Sequence, residues 1–192
     1  MKISHVFSAG VMLCLSSQAS ATGLFFEGGI HVGGETMVGV TFTSGDTEKI
    51  KAGELLSLAV GVHTELSDTL QGRFSIGYKF DSINADNGDL DFSRVPLEFL
   101  VMQRYTYWML GGGITYHLSP EFTSDVPLSV GPSGTVKFDD SIGFVFAFDY
   151  NSNGNFTRDW YVGGRVTLID YDSQFGGSIR GNSLGAVIGF LF

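Results

Sequence analysis

Cysteine is all but missing from this chain: the single copy, Cys14, falls inside the first apolar stretch, and no second thiol exists to pair with it. Disulfide frameworks and cysteine-based metal centres are therefore excluded. Charge is scarce as well, at 16% of residues where a water-soluble domain averages about 25%. Long hydrophobic runs are also lacking. Beyond the first apolar stretch the longest is the nine residues from Leu184 to Phe192, too short for a membrane helix of about 20 residues. A chain short of surface charge yet too interrupted for helices has one membrane solution left, the closed β-barrel, which pairs every backbone group within lipid.

What is present supports that reading. The chain opens with Met1 and Lys2, an apolar stretch from Ile3 to Leu15, and the small-residue triplet Ala19-Ser20-Ala21. This is the order of a secretory signal peptide, so residues 1–21 are expected to be removed and 22–192 to form the mature domain. Without Lys2, ten basic residues face twenty acidic ones, and the net charge of −10 argues against nucleic acid as a partner.

Alternation of period two runs through the whole mature region. In 141–150, Ile142, Phe144, Phe146, Phe148 and Tyr150 share one face, while Ser141, Gly143, Ala147 and Asp149 lie on the other. The same ladder places Leu56, Leu58, Val60 and Val62 against Ser57, Ala59, Gly61 and His63, and Phe74, Ile76, Tyr78 and Phe80 against Arg73, Ser75, Gly77 and Lys79. The pattern predicts eight strands, near 24–43, 47–66, 70–83, 92–103, 106–118, 139–150, 156–170 and 179–192. The fold class expected is all-β, an eight-stranded antiparallel up-and-down transmembrane barrel. The predicted connections at 67–68, 103–105 and 151–155 are short, whereas 84–91 and 119–138 are longer and polar. The first hairpin turn, Ser44-Gly45-Asp46, is tight. Short periplasmic turns and longer outer loops fit such a barrel, and they place both termini on the periplasmic side. Aromatics cluster at strand ends: Phe25, Phe26, Tyr105, Tyr107, Trp108, Trp160 and Phe190 at one, and Phe80, Phe92, Tyr116, Phe138 and Tyr171 at the other. Two interfacial girdles are expected from them. Alternation by itself also suits an exported soluble β-protein, since turning the molecule inside out preserves it.

With segments such as Leu110-Gly111-Gly112-Gly113-Ile114-Thr115-Tyr116 and the ending Gly189-Phe190-Leu191-Phe192, the chain over 22–192 resembles small outer-membrane barrels of the OmpA and OmpX type. The resemblance implies that Phe192, Phe190 and Ile188, with Leu184 before them, form the handle read by the barrel-insertion machinery.

Sending the greasy faces to lipid turns Glu27, Glu65, Glu98, Asp149 and Asp159 inward, with Arg73, Lys79, Arg104 and Arg165 as partners of opposite sign. An eight-stranded barrel has room for side chains but hardly for a channel, so the expectation is a polar plug, with a narrow pore or small-ligand barrel as the alternative. His31, His63 and His117 fall at different depths, spread over roughly 20 Å at about 2.4 Å of axial rise per residue, so no shared metal site is expected. The pair His117 and Ser119 resembles the His and Ser of the lipid A deacylase family. That resemblance implies an outward-facing pair, whereas here Pro120 follows and the outer face belongs to Trp108, Leu110, Ile114 and Tyr116. The acids Asp86, Asp89 and Asp91 lack the ligand order of a calcium loop. The reading from sequence is a monomeric, non-enzymatic outer-membrane barrel without cofactors. Its partners are outer-membrane lipids, lipopolysaccharide and, during biogenesis, the insertion machinery.

Overall fold

The computed structural model describes residues 22–41, 47–53, 55–85, 88–125, 134–174 and 176–192. Thirteen strands follow one another: β1 (Thr22–Gly33), β2 (Thr36–Thr41), β3 (Thr47–Lys51), β4 (Leu55–Glu65), β5 (Leu70–Ala85), β6 (Gly88–Arg104), β7 (Trp108–Ser124), β8 (Gly134–Lys137), β9 (Ser141–Tyr150), β10 (Trp160–Leu168), β11 (Asp170–Asp172), β12 (Ser178–Arg180) and β13 (Ser183–Leu191). Eight of them, β1, β4, β5, β6, β7, β9, β10 and β13, pair antiparallel in a ring. Pairing of β6 with β7, Arg104 opposite Met109, and of β1 with β13, Phe25 opposite Leu191, closes it. No barrel strand is left with an open edge, which is the condition for spanning lipid with strands.

The remaining strands form three short ribbons, β2 with β3, β7 with β8, and β11 with β12, all at the end opposite the termini. At the terminus end the connections are compact, and local side chains build them. The Ser67 hydroxyl accepts from the backbone N–H groups of Thr69 and Leu70. Asn151 Oδ1 accepts from those of Asn153 and Asn155.

Several boundaries differ from the sequence reading. The second expected strand breaks between β3 and β4, and the first is interrupted where Gly33 and Gly34 take φ of 125° and 80°, a backbone that favours glycine and turns the chain out of the wall. The turn at 44–46 lies outside the described residues, as do residues 1–21. The polar stretch 84–91 is not a long loop, since β5 runs to Ala85 and β6 begins at Gly88. Strand β7 continues past 118 to Ser124, and the strand expected from 156 begins only at Trp160, with 156–159 folded into the turn.

The wall is inside out relative to a soluble barrel. Ile142, Phe144, Phe146, Phe148 and Tyr150 all face outward, and Ile142 is 69% exposed. Leu24, Phe26, Ile30, Leu58, Val60, Phe74, Ile76, Phe99, Ile114 and Leu184 continue that surface around the ring. Facing inward instead are two apolar layers. Near the terminus end, Phe25, Leu100, Met102, Met109, Val145, Phe156, Tyr161 and Leu191 pack together. Near the ribbon end, Ile50, Ile83, Leu90, Phe92, Phe122, Phe138, Ile169 and Tyr171 form a second cluster. Four aromatics assigned to the interfacial girdles are thus inside: Phe25, Phe92, Phe138 and Tyr171. In the Phe25-Phe26 pair alternation sends one ring each way, and Phe92, Phe138 and Tyr171 meet edge to face across the mouth.

The abundance of glycine has a structural reason. Inward glycines stand in register with bulky inward residues of the neighbouring strand: Gly61 opposite Phe25, Gly111 opposite Met102, Gly163 opposite Asp149, Gly185 opposite both His31 and Arg165, and Gly189 opposite Tyr161. A Cβ on Gly189 would collide with the Tyr161 ring, and one on Gly185 with His31. In a lumen this narrow, large side chains fit only where the facing wall is bare.

Candidate functional site

Alternation along β5, β6, β9 and β10 aims Arg73, Lys79, Glu98, Asp149 and Arg165 into the lumen, between and beside the apolar layers. Asp149 is fully buried and binds two cations: Oδ2 accepts from Arg73 Nη1 at 2.6 Å and Oδ1 from Arg165 Nη1 at 2.6 Å. Arg165 Nη2 also reaches Glu27, whose Oε2 accepts from the Tyr161 hydroxyl at 2.7 Å. The Arg73 guanidinium lies 4.9 Å from the centre of the Tyr161 ring, and its Nε donates to Gln71 Oε1 at 2.7 Å. Gln71 Nε2 in turn donates to Glu65 Oε1 at 3.0 Å and to the Phe156 carbonyl at 2.9 Å. Arg104 Nη2 donates to Glu65 Oε2 at 2.6 Å. Arg73, Arg104 and Arg165 thus each have an opposite charge in contact, as do Glu27, Glu65 and Asp149, the condition under which charge is tolerated away from water.

Asp159 is not part of this group. Its Oδ2 accepts from Asn153 Nδ2 at 2.9 Å and its Oδ1 from the Trp160 backbone N–H at 2.8 Å. Those two bonds hold its carboxyl below the usual carboxylate range and make it a clamp of the terminus-end turn. The turn carries Phe156 into the apolar layer at that end of the lumen, its carbonyl held by the Gln71 bond.

Gln71, Arg94 and Tyr161, absent from the charges and partners expected in the lumen, are buried there, as is Asp81 on the polar face of its strand. A signal for the three existed: each has the parity of a residue assigned inward, Gln71 that of Arg73, Arg94 that of Glu98, and Tyr161 that of Arg165. Arg94 stacks on Phe92, its guanidinium 4.7 Å from the ring centre.

His117 and Ser119 are separated by a change of face. Ser119 has φ of 46°, and the register between β6 and β7 shifts there, so inward positions pass from odd numbers to even. His117 is buried, with Nδ1 hydrogen-bonded at 2.6 Å to the Tyr171 hydroxyl, while Ser119 is exposed and donates its backbone N–H to Asp140. The three histidines occupy separate surroundings, His31 on Ser57 and His63 on Gln71. Among the described residues no three metal-ligating side chains converge. Ile188, Phe190 and Phe192, the residues of the expected insertion handle, all point outward.

At the ribbon end, Glu35 and Arg180 close a clasp between the ribbons. Glu35 Oε2 accepts from the Arg180 backbone N–H at 3.1 Å and Oε1 from its Nη2 at 2.8 Å, while the Glu35 N–H donates to the Arg180 carbonyl. The Arg180 backbone N–H first, then its guanidinium, holds the Glu35 carboxyl below its ordinary value.

A closed eight-stranded ring, greasy outside and charged inside, is the architecture of the small outer-membrane β-barrels, and this chain has that fold. No protein-family model matches the sequence, and no curated protein does. Among solved structures, Ail, the attachment invasion locus protein of Yersinia pestis in complex with the heparin analogue sucrose octasulfate, superposes with a TM-score of 0.58 at 9% identity. The match covers 88% of this chain and 96% of Ail. Neisserial surface protein A matches with a TM-score of 0.55 at 10% identity, over 89% of this chain and 97% of its own.

Proposed function

We propose that this protein is an integral outer-membrane barrel with a non-enzymatic role, in which the filled wall is a rigid mount and the ribbons form an interaction surface. Residues 1–21 act as the export leader. The compact turns and both termini face the periplasm, and the ribbons face outward. The observation that carries the reading is the inverted wall: a continuous apolar exterior around paired charges makes physical sense only in hydrocarbon. The lumen is closed to ions because each end carries an apolar layer and Arg73, Arg104 and Arg165 between them are tied to carboxylates. Lipids and lipopolysaccharide surround the wall, and Ile188, Phe190 and Phe192 present the signal for insertion.

The character of the ribbons narrows the partner. Exposed Asp89, Asp91, Asp125, Asp139, Asp140, Asp170 and Asp172 outnumber exposed Lys49, Lys137 and Arg180, and Arg180 is engaged by Glu35. A sulfated polyanion of the kind bound to Ail in its complex would meet repulsion here, so the surface suits a neutral or cationic partner. The test is fractionation followed by gel migration of boiled and unboiled samples, then planar-bilayer recording. Recovery in the outer-membrane fraction, a mobility shift on boiling and electrically silent bilayers are expected. Recovery in the soluble periplasm, or discrete conductance steps, would overturn the reading.

A further inference from the structure

Among the described residues of the lumen's polar middle, Lys79 is a cation that no neighbour neutralises by contact. Arg73, Arg104 and Arg165 each close an ion pair on a carboxylate, but no described ion pair engages Lys79, which is only 5% exposed. An ammonium carries three donors, and leaving it bare inside a protein costs several kcal/mol. Beside Lys79 lies a small cavity of about 20 Å³, bordered by Lys79 together with Glu98, Glu27, Arg165, Ser75 and Thr167. One water needs roughly 10–15 Å³ of such space and two to four polar partners, so the cavity suits one molecule and not a chain of them.

We propose that this cavity is a binding site for one ordered water that accepts from the Lys79 ammonium and donates to the Glu98 carboxylate, a hydrated ion pair at the centre of the barrel. Three observations converge on water and not on a bound ion. First, the lumen is neutral: Arg73, Lys79, Arg94, Arg104 and Arg165 are matched one for one by Glu27, Glu65, Asp81, Glu98 and Asp149, so an added anion or cation would stand uncompensated in a medium of low dielectric. Second, Glu98 has acceptor capacity to spare, since its described hydrogen bond is a single long one from the Thr115 hydroxyl to Oε1 at 3.3 Å. Third, Ser75 and Thr167 border the same cavity, and their hydroxyls are partners of the kind a buried water takes. A water bridge is nearly as favourable as a direct contact, so Lys79 remains charged without the tight pairing its arginine neighbours have. The site depends on the lumen alone and stands whatever the ribbons bind.

The experiment is a high-resolution crystal structure of the full chain grown in bromide. The expected result is a solvent peak within hydrogen-bond distance of both Lys79 Nζ and Glu98, without bromine anomalous signal. An anomalous peak there identifies a halide and overturns the proposal, as does direct contact of Lys79 with Glu98 and no peak between them. In Ser75→Val, whose added methyls enter the cavity, the peak should vanish while the boiled and unboiled forms still migrate differently. Persistence of the peak in that variant overturns the placement of the water.

Discussion

Two arginines converge on Asp149, one from β5 and one from β10, and removing that carboxylate leaves both cations without their shared partner. Breaking a buried pair in this way costs about 3–5 kcal/mol, whereas an exposed pair costs a fraction of that. Asp149→Ala should therefore lower the free energy of unfolding by about that amount in urea titrations of the refolded barrel, against less than about 1 kcal/mol for Lys137→Ala, whose exposed pair with Glu121 spans 3.4 Å. Glu35 offers a test of another kind. Its folded-state pKa lies below the ordinary 4.5, so its contribution to the clasp is present above the unfolded value and is lost as pH falls through the lower folded one. A titration followed by NMR at the Glu35 carboxyl should give a midpoint below 4.5, and Arg180→Ala should raise it toward that value. A wild-type midpoint at or above 4.5 would show that the clasp does not form.

Among elements, the pairing of glycine with bulk across neighbouring strands carries its own prediction. Gly189→Ala places a methyl against the Tyr161 ring, which must leave its bond to Glu27, so a loss of about 1–3 kcal/mol is expected. Tyr161→Ala in the same chain should make that methyl harmless, and the coupling between the two changes, read from a double-mutant cycle, checks the contact. This is also where sequence and structure part. The eight strands were legible because alternation is a property of each strand alone, and the charged face identified the lumen. Glycine complementarity was not legible, because Gly189 and Tyr161 meet only once β10 and β13 have a register. The change of face at Ser119 escaped for a related reason. A single residue with positive φ inverts every position after it, and period two cannot reveal an insertion it assumes absent. Alternation carried back to 156 aims Asp159 inward, but 156–159 belong to a turn that Asn151 and Asn155 organise through their side chains.

Taken as a whole, the lumen carries an apolar layer at each end, with Phe156 in one and Phe92 and Tyr171 in the other. Phe156→Ala should cost about 3–5 kcal/mol of stability and still leave bilayers silent, because the Arg73, Asp149 and Arg165 layer continues to block the path. Conductance steps in that variant would show that Phe156 alone holds the lumen shut. The ribbons have a further consequence, one of reach. Strand β7 pairs with β9 only as far as His117 and then runs seven residues more, to Ser124, which at about 3.4 Å per residue is roughly 24 Å of chain along the strand. In the proposed orientation that end of β7 faces outward, and with strands tilted by about 45° it extends roughly 17 Å along the barrel axis beyond its last pairing with β9. In that orientation an antibody, a phage fibre or a host molecule approaching from outside would meet the tip of β7 before the wall.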